Sequence, residues 1–515
     1  MTRDMTTGSP LSRILAFCAP LIVGNLFQQF YNLADSIIVG RYLGVNAFAA
    51  VGSTGALNFL VLGFALGICS GFAIPIAQSF GAGDEEQVKS RTGQLVWLGV
   101  FFSLALTALT YFTTGDILRL VNTPAEIFDD AYTYIFIIFM GSGATILYNL
   151  GSGVLRALGD SRTPLLFLIA AVIINVGLDI LFMAGFGMGV EGAAYATVIS
   201  QAASGIACLV YMRARVPLLR LNRSHLRPNL RRMLYISSIG VPMGLQFSIT
   251  AVGSIILQSA VNSLGAVAVA AVSAGSRVHN IVAAPLETAG ITMATFCGQN
   301  LGAGRIDRIR SGVKSITAVC MVYCLLALAI NYFGGVGISC LFMDASETAI
   351  LAETHRYLTI NGIAYPLLAL IFIFRNSLQG MGFSNSAMFA GLAELIARAL
   401  AVFAFVGRLG FLGVCYANPL AWLFADLILL PLYAVKLRRL DGGRPPRQGR
   451  EAPKQARLCP VAKWPGTRSP EIRERVSFAF LPLRRVWPSF SPRALAAAAL
   501  AALFSSLARD RHVLE

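Results

Sequence analysis

The sequence predicts an all-α polytopic membrane protein, with twelve transmembrane helices in two pseudo-symmetric six-helix bundles. Three observations carry that expectation. The 515 residues are 56% hydrophobic and only 13% charged, with a mean hydropathy of +0.68, where a soluble chain carries about 25% charged residues. Apolar runs of ~20 residues or more recur along the chain, each long enough to cross a ~30 Å hydrocarbon layer. The first half repeats in the second at an offset that hardly drifts.

Six apolar segments lie near 14–40, 47–79, 92–114, 128–152, 164–184 and 190–212. Six more lie near 233–262, 267–298, 314–335, 350–377, 388–408 and 412–436. The first begins near Ile14 without a small-residue cleavage site, so it is expected to be a retained helix rather than a signal peptide. Arginine and lysine set the orientation. One set of loops contains Lys89, Arg91, Arg156, Arg162, the run RARVPLLRLNRSHLRPNLRR, Arg305, Arg308, Arg310, Lys314, Lys436, Arg438 and Arg439. The opposite set contains Arg41, Arg119, Arg356 and Arg408 against Asp116, Glu126, Asp129, Asp130, Asp344, Glu347 and Glu353. By the positive-inside rule both termini are cytoplasmic, in agreement with an even number of spans, which puts them on one side.

The repeat is read from short anchors. Ala19-Pro20-Leu21 matches Val241-Pro242-Met243 at an offset of 222. Leu43-Gly44 matches Leu264-Gly265, and QSFGAG at 78–83 matches QNLGAG at 299–304, both at 221. LRALGDS at 155–161 matches LQGMGFS at 378–384 at 223, and Tyr195-Ala196 matches Tyr416-Ala417 at 221. With an even number of helices per half, both halves enter the membrane in the same direction, related by an axis along the membrane normal. The expected domains are an N-lobe, 1–212; a cytoplasmic basic linker, 213–232; a C-lobe, 233–440; and an atypical, disordered basic tail, 441–515.

The net charge of +16 divides equally, +8 on residues 1–440 and +8 on the tail. A body this mildly basic argues against nucleic acid as a partner. The nine cysteines are scattered singly and the four histidines form no ligand pattern, so neither zinc nor a redox pair is expected. No P-loop and no nucleophile–base set is present, which argues against an ATPase or another enzyme.

The chemistry concentrates at mid-membrane. Asn175 and Asp179 are four residues apart on one helix face, and Thr197 stands on the next helix across a glycine-rich turn. Asp179 and Thr197 are each about nine residues from that turn, roughly 13 Å deep at ~1.5 Å per residue. Asp35 is as far from the turn at Gly44. A bare carboxylate there costs several kcal/mol unless it is paired, protonated or bound to a cation. Two acids in low dielectric cannot both stay ionised cheaply.

Together with the prolines of helices 1 and 7, LADSIIVGRYLG at 33–44, the paired QxxGAG ends, LRALGDSRTP at 155–164 and NVGLDILF…GVEGAAYATVISQ at 175–201, these residues resemble the multidrug and toxic compound extrusion (MATE) family of secondary transporters. The resemblance covers roughly residues 10–440. It implies antiport of amphipathic, often cationic compounds against H⁺ or Na⁺ by alternating access, in a plasma (inner) membrane, with no other cofactor. It also implies a cation-coupling role for Asp35, Asn175, Asp179 and Thr197, which would be the metal ligands if the ion is Na⁺. The expected partners are a small organic substrate and the bilayer, and the expected state is a monomer with its cleft inside one chain.

At the repeat offset Asp35 falls on Ile256 or Leu257, Asn175 on Ile396 or Ala397, and Asp179 on Leu400 or Ala401, so no carboxylate is retained in the second half. Coupling is therefore expected in the first half, and the absence of a helix-7 glutamate favours a DinF-like bacterial branch. Gln258, Arg277 and His279 are candidates for a substrate cleft. Glu394 and Arg398, four apart, are expected to satisfy each other, and Glu287 and Asp426 to lie nearer the cytoplasmic ends. Phe27, Phe30, Tyr31 and Phe59 could form a cation-accepting aromatic wall. The alternative activity is a lipid-linked oligosaccharide or polysaccharide flippase of the same superfamily.

Overall fold

The computed structural model describes residues 4–121, 123–340 and 346–441; the expectation for the tail, apart from Asp441, falls outside them. Every regular element among the described residues is helical. In hydrocarbon no water is available to bond the backbone, so a spanning segment must satisfy its own peptide groups, as a helix does. In chain order the spans are α1 (Pro10–Leu43), α2 (Asn46–Gly81), α3 (Glu85–Arg119), α4 (Ala125–Met140 and Ser142–Ala157), α5 (Arg162–Gly185) and α6 (Val190–Arg215). The second half follows with α7 (Leu230–Asn262), α8 (Ala266–Gly302), α9 (Ile306–Ser339), α10 (Thr348–Ile363 and Tyr365–Gly380), α11 (Ser384–Leu409) and α12 (Phe411–Asp441).

Several helices run past the apolar stretches that predicted them. α3 starts at Glu85 rather than near 92 because Asp84 caps it, accepting from Gln87 N at 3.0 Å, and Glu85 and Glu86 stand at its positive end. Hydropathy does not register such polar first turns. α4 and α10 are bent by 46° and 51°, at Gly141 and Ala364, 223 residues apart. α5 and α11 both end in a wide five-residue π turn, Leu181–Gly185 and Val402–Val406, 221 residues apart. The repeat is thus one of backbone irregularities as well as of letters. Its LG and GAG anchors have a physical cause: Gly44 and Gly265 stand at φ 87° and 90°, Gly83 and Gly304 at 71° and 68°, where a Cβ is strained.

Each half encloses its own core. Val39 of α1, Ala131, Ile135 and Phe139 of α4, and Ala193 and Ala194 of α6 form one in the first half. Val278, Met293 and Phe296 of α8 pack with Tyr365 and Ile373 of α10 and Val414 and Ala425 of α12 in the second. α1 belongs to both, because Ile14, Phe17 and Cys18 at its foot are buried in the second-half core. Pro20 lies between the two attachments.

The main seam between the halves is α2 against α7. Gly67 and Gly71 face Gly244 and Gly240; a Cβ on Gly71 would fall 2.5 Å from the Gly240 Cα, and one on Gly67 2.7 Å from the Gly244 Cα. Small residues four apart on both helices let the backbones touch, which apolar side chains in lipid do not achieve. At the end bearing the basic loops, the two QxxGAG motifs cross. Gln78 Nε2 donates to the Gly380 carbonyl at 3.0 Å and Gln299 Nε2 to the Ala157 carbonyl at 2.8 Å, each reaching into the other half. Gly81 faces the Gln299 carbonyl and Gly302 the Gln78 carbonyl. The motif closes the halves together as well as turning the chain.

Two further segments are pinned at this end. Met5 is 1% exposed, its N–H donates to Gln299 Oε1 at 3.0 Å, and the Arg308 guanidinium donates to the carbonyls of Met5 (3.1 Å), Thr7 (3.2 Å) and Gly8 (2.6 Å). The basic stretch 213–232 folds along α3: Trp97 Nε1 donates to the Leu226 carbonyl at 2.7 Å, and His225 Nε2 lies 3.0 Å from Glu86 Oε1.

Candidate cation-coupling site

α1, α5 and α6 bring Asp35, Asn175, Asp179 and Thr197 together inside the first half. The helix period puts Asn175 and Asp179 on one face of α5, and the turn at Gly187 folds α6 back so that Thr197 meets that face at the same depth. Burial is nearly complete, with Asp35 at 8% exposure, Asn175 at 1% and Asp179 at 0%. The carboxyls of Asp35 and Asp179 lie within hydrogen-bonding reach of each other. With its amide oriented to satisfy its neighbours, Asn175 donates to Asp179 Oδ2 at 3.0 Å and accepts from the Thr197 N–H at 3.1 Å.

Two tyrosines complete the cluster. The Tyr31 hydroxyl lies 3.2 Å from Thr197 Oγ1, and Tyr134 of α4, 6% exposed, stands within electrostatic range of both carboxyls and of Tyr31. Sequence reasoning placed Tyr31 only in an aromatic wall and passed over Tyr134, which sits in the run AYTYIFIIFM with nothing to mark its hydroxyl. Among the described residues, Oδ1 of Asp35 and Oδ1 of Asp179 have no hydrogen-bond partner, and neither acid forms an ion pair with a basic side chain. The arrangement is a pair of hard oxygen donors with room on their chemistry for a positive charge.

The three cleft candidates fare differently. Gln258 is exposed near the far end of α7, where its Nε2 donates to Asn262 Oδ1 at 2.9 Å. Arg277 is exposed on α8, on the same face as exposed Ser273 and Asn280. The His279 ring is engaged inside the second half, with Nδ1 3.0 Å from the Tyr365 hydroxyl and the ring stacked on Trp422 at 6.0 Å. Asp426, expected toward the cytoplasmic end, is buried among the helices at 3% exposure rather than solvated, fifteen residues from either end of α12.

The twofold repeat has a counterpart among known proteins. The MatE family model matches residues 20–181 and again 242–406, once in each half. The chain belongs to the MatE family. It is similar to the probable multidrug resistance protein YoeA of Bacillus subtilis (strain 168), 33% identical over 359 residues, 68% of this chain and 77% of that protein. It is also similar to the probable multidrug resistance protein YpnP of the same organism, 29% identical over 379 residues, 74% of this chain and 84% of that one. A solved outward-facing multidrug resistance MATE family transporter of the MOP superfamily shares the fold, with a TM-score of 0.79 at 21% identity over 84% of this chain and 97% of its own. These MatE relatives are transporters rather than enzymes, and the chain is a multi-pass membrane protein of that multidrug efflux family.

Proposed function

We propose that this MatE protein is a plasma-membrane antiporter, with both termini cytoplasmic, that exports amphipathic, often cationic compounds in exchange for H⁺ or Na⁺ by alternating access. Its lobes are 1–212 and 233–440, joined by 213–232, and its coupling residues are Asp35, Asn175, Asp179 and Thr197. The observation that carries this reading is the buried Asp35–Asp179 pair without a counter-charge among the described residues. An inward-moving cation neutralises the pair and changes how α1 packs on α5 and α6. α1 is the natural transmitter, since its foot is buried in the other half. One proton fits the two free oxygens as they stand, whereas Na⁺ would draw on the Asn175 and Thr197 oxygens as well.

The seam supports the access cycle. Hydrogen bonds between the halves run from the Gln78–Gln299 crossing at the basic end to Ser248 Oγ on the Leu60 carbonyl, 3.3 Å, past mid-depth. Beyond it the polar face of Ser273, Arg277 and Asn280 on α8 is exposed, and such side chains do not face hydrocarbon cheaply. We read that face as lining a cleft open away from the basic loops. The test is efflux of a fluorescent organic cation from proteoliposomes under separate proton and sodium gradients, with wild type and Asp179→Asn in parallel. Transport that follows one gradient and is lost in the variant identifies the ion. Equal, gradient-independent movement of dye through both proteins removes the coupling role.

A further inference from the structure

The second half holds buried charge of its own, at positions unrelated by the repeat to the first-half cluster. Glu394 of α11 accepts from Arg375 of α10, Nη2 to Oε2 at 2.6 Å, and from Arg398 one turn along its own helix, Nη2 to Oε1 at 2.9 Å. Only the second of these is legible as a spacing in sequence. All three side chains are buried. Glu394 is therefore saturated by two guanidinium groups, yet the cluster as a whole is not. Among the described residues, Arg375 Nε and Arg398 Nε and Nη1 have no acceptor, and neither carboxyl oxygen of Asp426 has a donor. Asp426 is buried fifteen residues into α12, and the charges acting on it are Arg375 and Glu394.

We propose that Asp426 is a second ion-exchange carboxyl of this transporter, holding a proton in one state and the Arg375 guanidinium in the other. In the arrangement seen, Glu394 holds Arg375 and Asp426 lacks a counter-charge, a costly state for a carboxylate in hydrocarbon. When Arg375 turns from Glu394 to Asp426, the Asp426 proton passes to water and each guanidinium is left facing one carboxylate. Arg398 stays with Glu394. The charged groups acting on Asp426 are Arg375 from α10 and Glu394 from α11, and one turn away on α12 is the Trp422 ring, against which His279 of α8 stacks. The Tyr433 hydroxyl, two turns along α12, is buried without a partner among the described residues.

A polar line connects this cluster to the seam between the halves. Gln379, one turn from Arg375, donates through Nε2 to Gln246 Oε1 at 2.7 Å, and Gln246 is on α7, the helix packed on α2. A swing of Arg375 is thus one helical turn from a contact that reaches the moving interface. The repeat offset puts Asp426 opposite Ala203, Ser204 or Gly205, so the first half has no equivalent carboxyl.

Infrared difference spectroscopy of the full chain in lipid, between acid and alkaline pH, reads the protonated-carboxyl C=O band directly. Asp426→Asn, nearly isosteric, is expected to remove the intensity of one carboxyl, separable from the part lost in Asp179→Asn. Glu394→Gln releases Arg375 to Asp426, which then stays ionised, so the same component disappears without touching Asp426. An Asp426→Asn spectrum that superimposes on wild type overturns the proposal, as does a Glu394→Gln spectrum that keeps the Asp426 component. Should Asp426→Asn not fold, Glu394→Gln decides alone. The readout is a carboxyl band and not transport, so failure here is distinguishable from failure of the first-half coupling site.

Discussion

In the first half, Asp35 and Asp179 face each other with an amide, a threonine and two tyrosine hydroxyls for company. In the second, Glu394 lies between Arg375 and Arg398. The scaffolds share the α4 and α10 bends and the π turns of α5 and α11 while the charges differ, so that shared backbone does not require either set of charges. The difference lies in balance. The second-half acid has two cationic partners, and their hydrogen bonds join α10 to α11. The first-half pair has no cationic partner among the described residues, and the proposed coupling role rests on that.

That contrast predicts opposite responses to neutralisation. Glu394→Ala strips the counter-charge from two buried guanidinium groups and should destabilise by about 3–5 kcal/mol, seen as a lower apparent Tm by tryptophan fluorescence in detergent. Asp179→Asn, which relieves a like-charge contact, should leave Tm unchanged or higher. If Asp179→Asn lowers Tm as far as Glu394→Ala does, the two clusters serve one structural purpose and the contrast collapses.

A smaller effect separates the halves at their feet. Arg308 on α9 fastens the strap at Met5–Gly8, and the repeat offset puts Glu86 or Gln87 at its first-half position, so the clamp belongs to one half alone. Arg308→Ala removes charged hydrogen bonds worth about 1.5–3 kcal/mol each at most. Amide exchange around Met5 should speed at least tenfold while exchange in α5 and α6 is unchanged. Uniform acceleration would mean that the strap holds the whole chain rather than the foot of α1.

The mildest test sharpens the first-half site itself. Tyr31→Phe deletes one hydroxyl at Thr197, a loss of about 0.5–1.5 kcal/mol. Gradient-driven efflux should slow by less than about tenfold with no change of coupling ion. Complete loss would make the Tyr31 hydroxyl a participant in the ion's path rather than a support for Thr197.

Twelve spans, the two-fold repeat and the shared helix face of Asn175 and Asp179 were legible in the sequence alone. These depend on hydropathy, charge and residue spacing along single helices, all of which are local and additive. Contacts between helices were decided only by the tertiary structure. Arg375 lies nineteen residues from Glu394 on another helix, Tyr134 shares no spacing with Asp179, and the glycines of α2 and α7 meet from opposite halves. Nothing in a one-dimensional pattern encodes which faces of two helices meet, because that is settled by shape and by the satisfaction of buried polar atoms across the whole bundle.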